Sequence, residues 1–186
     1  MQHGQLAVGQ APRPLWRIAV VFLLLVVAQQ WAWTKARGTV IEKAVIEVAT
    51  VGTAVAIINA WTPAVRASAA GARIQSPGGG INILNGCEGT EVLFLLVAAL
   101  LAYPMSWRWR GIGIFTGAAL VFVLNQLRVL ALFYSFRTDR ALFEELHGLI
   151  APMILIVLVT GYLIMLIRWD QGMAAAPVQE APGSVS

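Results

Sequence analysis

Residues 92–107 read VLFLLVAALLAYPMSW, an uncharged stretch between Glu91 and Arg108. Stretches of about 20 mainly apolar residues are long enough to cross a bilayer as a helix. Three further stretches have a similar character, although Arg128 interrupts one of them: 18–34, 111–136 and 146–167. The sequence therefore predicts four transmembrane helices, the second of which begins near Gly89.

The composition points to the same location. Of the 186 residues, 59% are hydrophobic and 12% are charged, and the mean hydropathy is +0.75. Soluble domains carry about 25% charged residues. The composition is therefore typical of an integral membrane protein.

The charged and metal-ligating residues exclude several classes of function. The net charge of +4 comes from dispersed basic residues, whereas a nucleic-acid site needs a basic patch, so we expect no nucleic-acid partner. The single cysteine, Cys87, excludes an intramolecular disulfide. Two histidines, His3 and His147, are too few for a His-rich metal site. We therefore expect no metal and no cofactor.

The interval between Glu47 and Arg66 is also uncharged, but it is more polar than the four predicted spans. Lys43, Glu47 and Thr50 lie at i, i+4 and i+7, the spacing of a polar stripe on an amphipathic helix. This spacing favours a helix at the membrane surface over 45–61. A fifth span is the alternative, and it would change the side on which the C-terminus lies.

A glycine-rich turn, Ser76-Pro-Gly-Gly-Gly80, follows that helix between Ile74 and Ile81. Runs of Pro and Gly between β-branched residues are typical of hairpin turns. We therefore predict a short β-hairpin that leads to Cys87.

The predicted fold class is an all-α polytopic membrane protein with about four transmembrane helices, an extracytoplasmic surface helix and a short β-hairpin before the cysteine. Basic residues lie in the short flanks of one side, at Arg17, Arg108 and Arg168, and such flanks favour the cytoplasm. The other side has more basic residues in total, but most of them lie in the long segment 35–86, and the rule is strongest for short flanks. Five segments follow: a disordered cytoplasmic tail at 1–14, the first transmembrane helix at 15–34, the surface helix and hairpin at 35–86, a three-helix transmembrane catalytic core at 87–169, and a second disordered cytoplasmic tail at 170–186.

Three reactive side chains come to one membrane face in this topology. Cys87 precedes the second span, Arg128 lies late in the third, and His147 opens the fourth. Because neighbouring spans run in opposite directions, these positions share one side of the membrane. At ~1.5 Å per residue, Arg128 lies about 25 Å from Gly111, near the far edge of a ~30 Å hydrocarbon core.

The sequence around the cysteine, Asn85-Gly-Cys-Glu-Gly89, has features of a helix N-terminus. Asn85 is a favoured N-cap residue, and Glu88 three positions later fits the second half of a capping box. Cys87 would then lie in the first helical turn, where free N–H groups favour a thiolate.

Each reactive group also has a structural interpretation. Cys87 alone is compatible with a small buried apolar residue. Arg128 is compatible with a snorkelling side chain or with a partner at Glu88 or Glu91. His147 alone is compatible with a helix cap. The chain would then be a noncatalytic membrane scaffold or assembly subunit. A transporter is disfavoured, because one intramembrane arginine without a second charged site makes a poor ion path.

The order of the motifs resembles the exosortase/archaeosortase family of polytopic membrane transpeptidases. These motifs are Asn85-Gly-Cys-Glu-Gly89 before a span, Asn125-Gln-Leu-Arg128 late in the next span and His147 at the start of the last. The compact length and the form NGCEGTE resemble the short exosortase H type. The resemblance covers roughly Gly71 to Trp169.

The resemblance implies a Cys-Arg-His active site in which Cys87 is the nucleophile, Arg128 the cationic stabiliser and His147 the acid and base. We expect substrate-binding or supporting roles for four further residues: Asn85, Gly86, Gly89 and Asn125. Glu88 and Glu91 are particular to this chain, and we expect no catalytic role for them.

The family likeness also implies the substrates and the location. Exosortase-like enzymes process membrane-anchored proteins with a C-terminal sorting signal, which consists of a short motif, a transmembrane helix and a basic cluster. We therefore expect cleavage through an acyl-cysteine intermediate in the bacterial inner membrane, with the active site facing the extracytoplasmic side. The partners would be those substrates, the lipid bilayer and an acceptor nucleophile. Transpeptidation and hydrolysis both stay open, because the acceptor leaves no mark in the sequence.

Overall fold

The computed structural model describes residues 15–83 and 86–174. The helices are numbered α1 to α5 in chain order. α1 is Leu15–Ala36; α2 consists of Val40–Lys43, Ala44–Gly52 and Thr53–Trp61; α3 is Thr90–Ala102; α4 is Trp107–Thr138; α5 consists of Arg140–Glu145, Leu146–Ile150 and Ala151–Ala174. The middle parts of α2 and α5 are π-helical, and a short 3₁₀ helix, Pro63–Val65, follows α2.

Four of the helices, α1, α2, α4 and α5, are long and apolar enough to cross a membrane. These are not the same four that the sequence predicted. α3, predicted as a full span from Gly89 to Trp107, has only 13 residues, about 20 Å at ~1.5 Å per residue. Pro104 ends it, because the residue before a proline disfavours the helical conformation, and Tyr103 is extended with ψ at 136°.

α2 is the helix for which we predicted a position at the membrane surface. Its length and hydropathy alone also fit a membrane span. The predicted polar stripe is wrong at Thr50, whose side chain is buried and whose hydroxyl donates to Val45 O at 2.9 Å. Thr50 therefore belongs to the buried face of α2: Ile46, Thr50, Val51, Ala54 and Ile58.

The predicted tails lie largely outside the described residues, which exclude 1–14 and 175–186. The C-terminal tail predicted to begin at residue 170 is helical as far as Ala174. The last helix is therefore longer than the sequence pattern indicated.

α3, α4 and α5 share an apolar core, whose members are nearly fully buried: Leu96, Leu100, Val121, Val159 and Leu166. α4 approaches its neighbours closely at Gly113 and Gly117. A Cβ added at Gly117 would lie 2.5 Å from Leu96 Cδ2 and 3.1 Å from Tyr162 Cε1. Small residues four positions apart allow helices in a membrane to pack this closely.

The contacts at the helix ends show that α4 and α5 run in opposite directions. Trp109, near the start of α4, and Trp169, near the end of α5, have ring centroids 6.3 Å apart. Beside them, Ser106 Oγ donates to Asp170 Oδ1 at 2.8 Å. At the other end of the bundle, Trp33 of α1 lies against the residues that precede α3. The antiparallel arrangement predicted from the sequence is present.

A second core lies where α4 extends beyond the bundle. Three antiparallel strands form a sheet in the order β1-β2-β3, with the bounds Ser68–Ala70, Arg73–Ser76 and Gly79–Asn82. The predicted hairpin is formed by β2 and β3, with Ile74 opposite Ile81, and β1 extends it by one strand. Both isoleucines are buried in one cluster with the inner face of α2 and with Phe133 of α4.

Hydrogen bonds join α2 and the residue after it to α4 across this second core. Gln126 Nε2 donates to Ala49 O at 3.1 Å and to Thr50 O at 3.4 Å, and the hydroxyl groups of Thr62 and Tyr134 lie 2.7 Å apart. The last third of α4 therefore belongs to the second core, and Arg128 lies at the junction between the two cores.

Two glycines of α4 differ in the space around them, so a side chain added at Gly117 should destabilise the protein and a side chain added at Gly111 should not. Gly117→Leu should lower the thermal stability of the protein in detergent, because overpacking costs roughly 1–3 kcal/mol. Gly111→Leu is the matched control on the same helix, since a Cβ there meets nothing within 4 Å. Melting temperatures measured by tryptophan fluorescence test this, and equal melting temperatures would contradict the close packing of α4.

Candidate active site

The loop that carries the cysteine is non-helical. α3 begins at Thr90, and its N-cap is Gly89, with φ at +81° and ψ at 1°. Cys87 therefore lies before the helix, and the prediction that it occupies the first helical turn is wrong. The physical reason is the left-handed backbone of Gly89, a conformation that glycine adopts without steric cost. Asn85, the predicted N-cap, lies outside the described residues.

The carboxylate of Glu88 organises this loop from inside. Its side chain is buried and accepts hydrogen bonds from Gly86 N at 2.6 Å, Thr90 Oγ1 at 2.9 Å and Trp33 Nε1 at 3.3 Å. Two of these donors belong to the loop and its helix, and the third belongs to α1. Glu88 thus fixes the loop to the bundle. The sequence predicts Glu88 as the second half of a capping box, but it does not predict the bond to Trp33, which lies 55 residues away along the chain.

Arg128 reaches the cysteine from α4. Its Nη2 lies 4.0 Å from Cys87 Sγ. The Nε of Arg128 is buried and has no hydrogen-bond partner among the described residues. The alternative prediction is a structural pairing of Arg128 with Glu88 or Glu91. Among the described residues the guanidinium of Arg128 donates to Cys87 alone, and the Glu88 carboxylate accepts from three other groups. The guanidinium is therefore directed at the sulfur.

Asn125 lies one turn before Arg128 and touches the cysteine loop. A Cβ added at Gly89 would lie 3.0 Å from Asn125 Cγ, so only glycine fits there without a shift. Asn125 is 2% exposed, and its Oδ1 has no partner within the described part of the chain. Both of these predicted supporting residues therefore lie at the site. Gly86, the third, is in the loop itself with φ at +92°.

His147 lies across a cavity from the cysteine. The cavity has a volume of about 140 Å³, and Cys87, His147, Phe143 and strand β3 contribute to its walls. The imidazole is exposed and stacks on Phe143, with centroids 5.6 Å apart and an interplanar angle of 6°. His147 belongs to the π-helical part of α5, a type of irregularity that is frequent at functional sites.

The structure therefore brings the three predicted groups together in two different ways. Arg128 contacts the thiol directly, whereas His147 shares with it the lining of a cavity of about 140 Å³. A guanidinium beside a sulfur favours the thiolate form, which is the nucleophilic form. An exposed imidazole can donate and accept a proton near neutral pH. No cluster of three or more His, Cys, Asp or Glu side chains suited to a metal ion is found in residues 15–83 and 86–174.

No protein-family model, curated protein or solved structure matches this chain. The resemblance to exosortases therefore remains a prediction from the motifs, and the site is interpreted from its own geometry.

The Glu88 network leads to a prediction about stability. Glu88→Ala would leave the indole N–H of Trp33 and the amide of Gly86 without an acceptor, at a cost of about 1–3 kcal/mol for buried groups. We expect a lower melting temperature in detergent. We also expect the loop to hold Cys87 less firmly, so that large maleimides alkylate Cys87 faster than they do in the wild type. Glu91→Ala is the control, because Glu91 is exposed; the same loss of stability in both variants would contradict the network.

Proposed function

We propose that the chain is a membrane-embedded cysteine transpeptidase or protease of the exosortase type. It would cleave C-terminal sorting signals of membrane-anchored proteins through an acyl-Cys87 intermediate. The single observation that carries this proposal is the 4.0 Å approach of Arg128 Nη2 to Cys87 Sγ, beside a cavity that His147 also lines.

The unpaired polar atoms support a catalytic role over a structural one. A structural cluster of buried polar groups is normally fully hydrogen-bonded, because each unpaired group costs free energy. Three buried side-chain atoms have no partner in the described ranges: Arg128 Nε, Asn125 Oδ1 and Gln126 Oε1. The first two belong to side chains that touch the cysteine loop. Such groups have capacity for a ligand. The noncatalytic scaffold is therefore the weaker of the two candidates.

The basic residues in the short flanks of the spans support a membrane placement in which the site faces the extracytoplasmic side, whereas most basic residues at the Cys87 end belong to the long segment 35–86. Arg108 and Arg168 lie at the bundle end where Trp109 meets Trp169, which fits the cytoplasmic interface with its basic flanks and aromatic residues. Cys87 lies at the opposite end. In this placement α1, α4 and α5 cross the membrane, α3 crosses most of it, and α2 lies at the surface with its buried face on the sheet.

The first chemical step is acylation of the cysteine. The Cys87 thiolate attacks the scissile carbonyl carbon, a C–S bond forms, and the carbonyl oxygen becomes an oxyanion. Arg128 stabilises this negative charge. The C–N bond then breaks, and His147 gives its proton to the departing amine, which leaves a thioester on Cys87.

The second step returns the free enzyme. An acceptor amine or water enters from the cavity and loses a proton to His147 as it attacks the thioester carbonyl. The C–S bond breaks, and the sulfur leaves as a thiolate beside Arg128. A substrate anchored by its own helix reaches the site by lateral diffusion, so the encounter is nearly intramolecular.

The contact between Arg128 and Cys87 predicts the reactivity of the thiol. Arg128→Ala should slow alkylation of Cys87 by iodoacetamide roughly tenfold, because the guanidinium no longer balances negative charge at the sulfur; a tenfold change corresponds to about 1.4 kcal/mol. Arg128→Lys should give an intermediate rate, since lysine keeps the charge but lacks the planar fork. The rates are measured by intact-protein mass spectrometry.

Arg108→Ala is the control for this measurement, because Arg108 is exposed at the opposite end of the bundle. It should leave the alkylation rate of Cys87 unchanged. Equal rates in wild type and Arg128→Ala would show that the guanidinium does not activate the sulfur, and the proposed mechanism would be wrong.

Processing of a membrane-anchored protein with a C-terminal sorting signal tests the function itself. Cys87→Ala should abolish cleavage at unchanged expression, and His147→Gln should reduce it by roughly 10²–10⁴-fold, the usual contribution of general acid–base catalysis. Cleavage is followed by immunoblot and the acyl-Cys87 thioester by mass spectrometry. Full processing by Cys87→Ala would exclude the proposal.

A further inference from the structure

Strand β3 is an edge strand with one unpaired side. The sheet order is β1-β2-β3, so β3 pairs with β2 alone. Ile83 N, just after β3, donates to Ala72 O at 2.8 Å. In an antiparallel ladder, alternate residues direct both backbone groups to the partner strand. Since Ile83 and Ile81 face β2, the N–H and C=O groups of Gly80 and Asn82 point away from it.

This free edge borders the cavity that Cys87 and His147 line. Gly80 and Asn82 line the same space of about 140 Å³ as Cys87 and His147. Within residues 15–83 and 86–174, no further strand pairs with β3. The unpaired backbone groups and the sulfur therefore border one space.

The chemistry of the edge selects an extended peptide as its occupant. A peptide in the β conformation presents N–H and C=O groups at the spacing of a neighbouring strand, whereas lipid chains and helices present none. Natural edges that avoid pairing carry charges or proline. The outward-facing positions of β3, Gly80 and Asn82, carry neither.

We propose that β3 binds the substrate's recognition segment as a fourth strand, through backbone hydrogen bonds to Gly80 and Asn82, and so places the scissile carbonyl at Cys87 Sγ. This inference rests on the proposed function. It assigns to the hairpin the task of holding an unfolded stretch of polypeptide next to the thiolate. Backbone pairing supplies affinity, and the cavity side chains on alternate positions supply selectivity.

The experiment compares two reagents on the full-length protein in detergent. The first is a mixed-sequence capped tetrapeptide chloromethyl ketone, and the second is iodoacetamide. Both alkylate Cys87. The rate of the chloromethyl ketone is divided by the rate of iodoacetamide, and this ratio is divided by the same ratio for glutathione, a thiol without a peptide site. The result is the rate enhancement due to the peptide. We expect an enhancement of at least about tenfold in wild type, equivalent to about 1.4 kcal/mol of binding.

Asn82→Pro removes the outward N–H and should abolish the enhancement while leaving the iodoacetamide rate within about twofold, because proline is tolerated in edge strands at such positions. Ala69→Pro is the matched control. Ala69 of β1 lies opposite Ile74, whose own N–H and C=O groups are directed at β3. The backbone groups of Ala69 therefore point away from β2, at the other edge of the sheet. This variant should keep the enhancement. Melting temperatures establish that both variants are folded.

A second arm needs no variant of the protein. A set of chloromethyl ketones carries one N-methyl group each, at a different peptide amide. Methylation of an amide that bonds to β3 should slow the reaction with the wild type. Methylation of any other amide should leave the rate equal to that of the unmethylated reagent. Three results would overturn strand addition: an enhancement that is unchanged in Asn82→Pro, an enhancement that Ala69→Pro loses to the same extent, or no enhancement in the wild type. Failure of the proposed function has a different signature: an iodoacetamide rate of Cys87 that does not depend on Arg128.

Discussion

The candidate site depends on the hydrogen bonds that the buried carboxylate of Glu88 accepts. This carboxylate accepts hydrogen bonds from neutral donors only: an indole, a backbone amide and a hydroxyl. Neutral donors satisfy the carboxylate without engaging the nearby guanidinium. If Glu88 paired with Arg128, the arginine would be neutralised and turned away from the sulfur. The position of Trp33 on α1 therefore helps to leave a free cation beside Cys87.

The length of α4 gives the site its place in the molecule. The helix has 32 residues, about 48 Å at ~1.5 Å per residue, which is more than a bilayer core requires. Its first two thirds pack in the helical bundle, and its last third packs against α2 and the sheet. Asn125 and Arg128 lie where these two environments meet. A single rigid element thus holds the cation at the boundary between the membrane bundle and the sheet.

The sequence predicted the parts of the site that depend on spacing and direction. Alternating helices bring Cys87 and Arg128 to one end, and the Pro-Gly turn forms the β2–β3 hairpin. It failed where tertiary contacts decide. The start of α3 depends on the backbone of Gly89 against Asn125, and the burial of Thr50 depends on the sheet. β1, with the sequence Ser-Ala-Ala, has no β-branched residue and so no strand signal.

Under the proposed function, the small sheet and the helical bundle answer one requirement: the state in which a peptide can be cleaved. A transmembrane substrate satisfies its own backbone as a helix, and a helix shields the carbonyl that the thiolate must attack. An extended segment exposes that carbonyl but leaves N–H and C=O groups unpaired near the apolar phase, at a cost of several kcal/mol each. A strand edge beside Cys87 compensates that cost at the point where it arises. Within the described residues β3 pairs only with β2, so its outer N–H and C=O groups are available to a peptide without a loop rearrangement. The open edge and the open cavity are then two consequences of one requirement, that the polypeptide reach the sulfur unfolded.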